Sequence, residues 1–163
     1  MNYSSICQQI IHILGLSNFH VRTEAPNSAE RAVLDVTWNA LEDCTEGRNA
    51  LAVVDVSCSM TWAPMGNCGP LPIDAAVSLG LYFAERNKGP FKNHFITFSA
   101  VPSLIEVKGQ DLADKVRYCM SAPWGMNTNI QAVFELILKT ALKYDMPQSE
   151  LPETLYIISN WRM

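Results

Sequence analysis

The hydrophobic positions change period along the chain, from helical spacing to short continuous runs and back. Four short apolar runs have the length and composition of strands, and the first two are typical of strands buried on both faces. These runs are residues 51–56, 94–98, 104–107 and 154–159. Apolar residues recur every three to four positions in between, which predicts helices over 72–87, 112–119 and 130–141. This alternation predicts βαβ units around a mostly parallel sheet, and so an α/β fold.

The first 46 residues show helical spacing only. Ile6, Ile10 and Leu14 predict a helix over residues 4–16. Asn27 and Glu30 form a capping-box pattern before a second helix that is predicted to run to about residue 43, with Leu34, Trp38 and Leu41 on one stripe. We therefore expect an N-terminal helical extension at 1–46 and a domain at 47–163, packed together as one unit.

Composition and charge narrow the class of protein. The chain has 163 residues, 48% hydrophobic and 17% charged, which fits one globular domain. Its net charge of −4 argues against a protein that wraps nucleic acid. No apolar run approaches the roughly 20 residues of a membrane span, and the N-terminus lacks the basic patch of a secretory signal. We therefore expect a cytoplasmic protein with neither nucleic acid nor membrane as its partner.

The five cysteines are typical of a protein in a reducing compartment. Their number is odd, and they contain no CxxC pair and no histidine at ligand spacing. We expect reduced, mostly packed thiols and no structural zinc site. Cys58, in a predicted strand-to-helix turn, lacks any sequence link to a histidine base and is expected to be a packed or incidental thiol and not a nucleophile.

Polar residues follow the predicted strands where the carboxyl ends of a parallel sheet would meet. Asp55, Ser57 and Ser59 follow the first strand, Thr128 precedes the last predicted helix, and Asn160 follows the last strand. Ligands of open α/β sheets bind at this end of the sheet. Oxygen ligands with one carboxylate favour Mg²⁺ or Mn²⁺. The alternative is structural, because Asp and Ser also cap turns and Thr128 could cap a helix.

These residues resemble those of a von Willebrand factor A-type (vWA) domain. The family's metal-ion-dependent adhesion site reads D-x-S-x-S, then Thr, then Asp, and the sequence has DVSCSM at residue 55, WGMNTN at 124 and ISN at 158. Residues 51–159 are most similar to uncharacterised vWA-containing proteins of bacteria, plants and giant viruses. A more distant likeness is to the vWA domain of the Ro ribonucleoprotein.

The resemblance implies a Rossmann-like domain, with helices on both faces of its mostly parallel sheet, whose metal helps bind a protein partner. Ser57 and Ser59 would ligate the metal directly, Thr128 directly or through water, and Asp55 mostly through water. Asn160 stands where the family has Asp, and Cys58 stands where it has Gly, so both should weaken Mg²⁺ or Mn²⁺ binding. The resemblance also implies a C-terminally truncated sheet of about four core strands.

These expectations together predict a protein-binding module of the adhesion or scaffold type, with a degenerate metal-ion-dependent adhesion site and no enzymatic activity. A Ro-like ribonucleoprotein component that binds RNA is the first alternative, and a metal-assisted hydrolase is a weaker one. The partner is expected to be a protein. The strand 154–159 would lie at the edge of the sheet, where the helix predicted over 4–16 could cover it or a second copy could pair with it to form a homodimer.

Overall fold

Four helices and four strands make up the part of the chain that the computed structural model describes, which is residues 25–61, 71–122, 125 and 127–159. The helices are α1 (Ser28–Asn39), α2 (Pro72–Arg86), α3 (Leu112–Met120) and α4 (Ile130–Lys143). The strands are β1 (Ala50–Asp55), β2 (His94–Phe98), β3 (Leu104–Glu106) and β4 (Thr154–Ile158). Short 3-10 turns lie at Cys58–Thr61 and Gln148–Glu150. The helix predicted over 4–16 falls outside the described residues.

The strands form one mixed sheet in the order β3-β2-β1-β4. β1 pairs in parallel with β2 and with β4, whereas β3 runs antiparallel to β2. The predicted α/β class and mostly parallel sheet are therefore confirmed. β3 is antiparallel because residues 99–103 are too few for a crossover, which takes about a dozen residues between parallel strands.

β1 is the centre of the hydrophobic core, and all six of its residues are buried. Side chains alternate between the faces of a strand. Ala52 and Val54 therefore pack in the cluster that contains α2 and α3, whereas Leu51 and Val53 pack in the cluster that contains α4. The continuous apolar run in the sequence reflects this two-sided burial.

α1 begins as predicted but ends early. Asn27 Oδ1 accepts a hydrogen bond from the backbone of Glu30, and the Glu30 carboxylate accepts one from the backbone of Asn27, which completes the capping box. The helix ends at Asn39 and not near residue 43. Tertiary contacts account for the difference, because Arg86 donates to the carbonyl of Leu41 and Tyr82 Oη accepts from the Cys44 N–H.

The described cysteines are free thiols, as the sequence predicts. Cys44 and Cys119 are buried and Cys58 is exposed, while the other two lie outside the described residues. Burial raises the pKa of the Cys119 thiol to about 12, so this thiol stays protonated and unreactive. None of the helices in the described part of the chain is long and apolar enough to cross a membrane.

Gly80 brings α2 into close contact with β1. A Cβ atom at this position would lie 2.5 Å from Val54 Cγ2. Gly80→Ala is therefore expected to lower the free energy of unfolding by about 1–3 kcal/mol through overpacking, although alanine in a helix normally gains about 1 kcal/mol over glycine. Urea denaturation measures the change.

A second substitution tests this reason. Val54→Ala removes the methyl group that would clash, so the double variant should lose less stability than the sum of the two single variants. A Gly80→Ala protein as stable as the wild type would show that the helix and strand can separate without cost.

Candidate functional site

Asp55, the last residue of β1, carries a buried carboxylate that is 3% exposed. Its Oδ1 accepts a hydrogen bond of 2.9 Å from the backbone N–H of Ser57, which forms an Asx turn. Its Oδ2 accepts a hydrogen bond from Ser159 Oγ. The carboxylate thus fixes the turn after β1 and joins it to the residue after β4.

Sheet register explains the contact with Ser159, which the sequence did not single out as a site residue. Val54 pairs with Ile158 across the parallel β1–β4 ladder. The next residues along the two strands, Asp55 and Ser159, are therefore level with each other. A polar residue at the very end of the last predicted strand was the available signal, but its partner depended on a register that the sequence does not show.

The two serines of the predicted motif lie together on the turn that follows β1. Ser57 Oγ and Ser59 Oγ share a hydrogen bond, and the two oxygens are 2.9 Å apart. Ser57 is buried and Ser59 is exposed, so the pair extends from the core to the surface. The Ser57 carbonyl accepts from the Met60 N–H at 3.0 Å, which holds the turn in its 3-10 form. Cys58 is exposed on this same turn.

A second loop approaches the same end of the sheet. Phe98 pairs with Asp55, so Ser99 follows β2 at the level of the site. Ser99 is buried, and its hydroxyl donates to the Val101 carbonyl at 2.8 Å. A Cβ atom on Gly125 would lie 2.7 Å from Ser99 Cβ, so the backbone before α4 packs directly against Ser99.

Thr128 is not joined to this cluster by a hydrogen bond. It is exposed near the start of α4, and its hydroxyl makes no hydrogen bond with the described residues. The helix cap is Asn129, whose Oδ1 accepts from the Ala132 N–H at 3.1 Å. The structural alternative for Thr128, a helix cap, is therefore wrong. Asn160 lies outside the described residues.

The donors in the cluster limit the kind of metal that could bind. Among the described residues, no group of three or more His, Cys, Asp and Glu side chains is placed to hold a metal ion. The atoms at the end of β1 are instead one carboxylate and hydroxyl oxygens. Such hard, mostly neutral donors are compatible with Mg²⁺ or Mn²⁺ at low affinity and are poor ligands for zinc or copper.

Fold and site together define an α/β domain with a cluster of serines and one buried aspartate at the carboxyl end of its sheet. The chain belongs to the family described as Domain of unknown function (DUF7788), whose model matches residues 49–163. It is also 34% identical over 132 residues to an uncharacterised protein of Acanthamoeba polyphaga mimivirus. The match covers 78% of this chain and 22% of that relative, so the chain spans about a fifth of the relative's length.

The predicted membership of the vWA family is wrong. The family model that matches this chain is that of DUF7788 and not that of a vWA domain. The motif misled because it is short and because polar residues after parallel strands are common to α/β folds of many families. The roles of Asp55, Ser57 and Ser59 therefore have to be argued from their geometry.

Proposed function

We propose that this chain is a protein-binding domain whose contact surface is the carboxyl end of β1, where Ser57 and Ser59 hold a weakly bound Mg²⁺ or Mn²⁺. The observation that carries the proposal is the 2.9 Å separation of the two Oγ atoms. Neighbouring ligands of an octahedral ion with bonds of about 2.0–2.1 Å are about 2.9 Å apart. The two hydroxyls therefore match two adjacent positions of such an ion.

Charge and exposure support a weak site that is open to a partner. Asp55 supplies a buried carboxylate next to the serine turn, where it accepts a hydrogen bond from the backbone N–H of Ser57. A site with a single carboxylate should bind the ion in about the millimolar range, because ligand charge sets affinity. Mg²⁺ keeps several waters, and a carboxylate of a partner could replace one of them. Cys58 and Ser59 are exposed, so a partner can reach this side of the site.

The hydrogen bonds of Asp55 favour binding over catalysis. Both carboxylate oxygens accept hydrogen bonds from the chain itself, one from Ser57 and one from Ser159. A general base or nucleophile needs an oxygen that faces the substrate. In this domain Asp55 instead holds two loops in register, which is the role of a residue that shapes a binding surface.

Thermal melting in the presence of divalent cations tests the metal site. At ten times its dissociation constant, a ligand that binds only the folded state should raise the melting temperature of a chain this size by about 3–6 °C. We expect this shift with Mg²⁺ and Mn²⁺ and a smaller one with Ca²⁺, whose ligands lie farther apart.

Matched variants give the test its control. The double variant Ser57→Ala with Ser59→Ala should lose the shift, and Ser28→Ala, at the exposed start of α1, should keep it. Equal shifts in both variants would contradict the proposal.

Binding to an immobilised library of Asp- and Glu-containing peptides tests the contact surface. Retention should need Mg²⁺, disappear with a chelator and be absent in the double serine variant. If a chelator leaves retention unchanged, the domain binds these peptides without the help of a metal ion. Hydrolysis of phosphate esters by the wild type and not by Asp55→Asn would instead indicate an enzyme.

A further inference from the structure

α4 leaves a row of apolar side chains exposed to solvent. Phe134 is 55% exposed and Leu138 is 57% exposed. Residues four apart along a helix lie in one row on its surface. The exposed row consists of Ile130, Phe134, Leu138 and Leu142. The neighbouring row of Val133, Ile137 and Ala141 is buried in the core. α4 therefore buries only part of its apolar surface in this domain.

A polar row with charges of both signs borders the exposed apolar row. It consists of Gln131, Glu135, Lys139 and Lys143. Glu135 and Lys139 form an ion pair of 3.7 Å and are both well exposed. An apolar row flanked by opposite charges is the arrangement that helices use to select a partner helix and its direction.

We propose that α4 packs against α4 of a second copy of this chain, antiparallel to it, around a twofold axis between Phe134 and Leu138. This direction places Phe134 against the partner's Leu138, so the apolar row covers itself. It also brings Glu135 near the partner's Lys139, and Lys139 near the partner's Glu135. A twofold axis repeats each contact, so both charge pairs form together.

The order of charges is what selects a second copy as the occupant. Glu135 precedes Lys139 by one turn, on either side of the middle of the row. An antiparallel partner helix presents the same two charges in the opposite order, so each Glu135 lies near a Lys139 and each Lys139 lies near a Glu135. A parallel copy related by a twofold axis would place these charged residues of the two helices on opposite sides of the apolar row, so neither charge pair would form between the copies. The proposed interface is separate from the cation site, and neither proposal depends on the other.

Light scattering of the full chain after size exclusion, over a wide range of concentration, tests the interface. The wild type should double in mass as concentration rises. Leu138→Glu should remain a monomer with an unchanged far-ultraviolet spectrum, because the residue is exposed. Val36→Glu is the matched control, since it adds the same charge at an exposed valine of α1 and should still dimerise.

Charge exchange distinguishes the antiparallel arrangement from other occupants of the row. Glu135→Lys and Lys139→Glu should each weaken the dimer at least tenfold, and the double variant should recover it. A dimer whose affinity none of these substitutions changes would point to pairing through β4 and would overturn the proposal. A wild-type monomer would do the same and would mean that another part of the polypeptide, such as residues 1–24, or a different protein covers the row.

Discussion

Asp55→Ala is expected to lower the free energy of unfolding by about 2–4 kcal/mol. The substitution leaves the Ser57 N–H and the Ser159 hydroxyl without their acceptor at a position that is almost fully buried. Each unsatisfied donor costs about 1–3 kcal/mol, and removal of a buried charge offsets part of that cost. Urea denaturation should show a lower midpoint with an unchanged slope.

Two variants separate the hydrogen bonds from the charge. Asp55→Asn keeps an acceptor and should cost less stability than Asp55→Ala, yet it should lose any stabilisation by Mg²⁺. Asn129→Ala is the matched control because Asn129 also accepts a hydrogen bond from a backbone N–H, that of Ala132, but at the exposed start of α4. It should cost about 1 kcal/mol, the usual loss for an N-cap side chain, since water can reach the freed N–H. An Asp55→Ala protein as stable as the Asn129→Ala protein would contradict this account.

Trp38→Ala is expected to cost about 3–5 kcal/mol, the usual range for truncating a buried aromatic side chain. Trp38 is 2% exposed, and its ring meets Tyr82 edge to face at 6.3 Å. Its Nε1 donates to Glu85 Oε2 at 2.6 Å, and the other oxygen of Glu85 pairs with Lys115 Nζ at 2.6 Å. Loss of the indole therefore leaves a cavity and weakens a network that joins α1, α2 and α3.

The same variant tests whether residues 28–46 fold together with the rest of the domain. If they do, helix content and tryptophan fluorescence should be lost in a single transition in the wild type, and in Trp38→Ala that transition should shift as a whole. Val36→Ala, at an exposed position of the same helix, should change stability by less than about 0.5 kcal/mol. Separate transitions for the two probes would mean that residues 28–46 are an independent extension.

The elements most accurately predicted were those whose sequence pattern reflects burial directly. The strand over 94–98 was predicted residue for residue, because both faces of β2 are covered and the apolar run has no interruption. The start of α1 was predicted from Asn27 and Glu30, because a capping box is a local interaction. The end of α1 was missed, because it depends on a hydrogen bond that Tyr82 accepts and one that Arg86 donates, and both residues are distant in sequence.

The site was predictable only where its residues are close in sequence. Ser57 and Ser59 are two positions apart on one turn, and their proximity follows from local backbone geometry. The partner of Asp55 across the sheet, Ser159, required the β1–β4 register. Thr128 was predicted as a ligand from its place before the last predicted helix and from the motif; it lies exposed near the start of α4, and its role as a ligand stays a prediction. Assignment to a family from a short motif failed for a similar reason, since the motif carries little information beyond its own few residues.

Electron paramagnetic resonance of Mn²⁺ measures the free ion directly and is the most direct test of the cation site. Titration of the wild-type chain should remove the signal of one Mn²⁺ per molecule, with a dissociation constant in about the millimolar range. The Ser57→Ala, Ser59→Ala double variant, shown to be folded by its melting curve, should leave the signal of the free ion unchanged. Equal loss of signal with both proteins, or no loss with the wild type, would contradict the account.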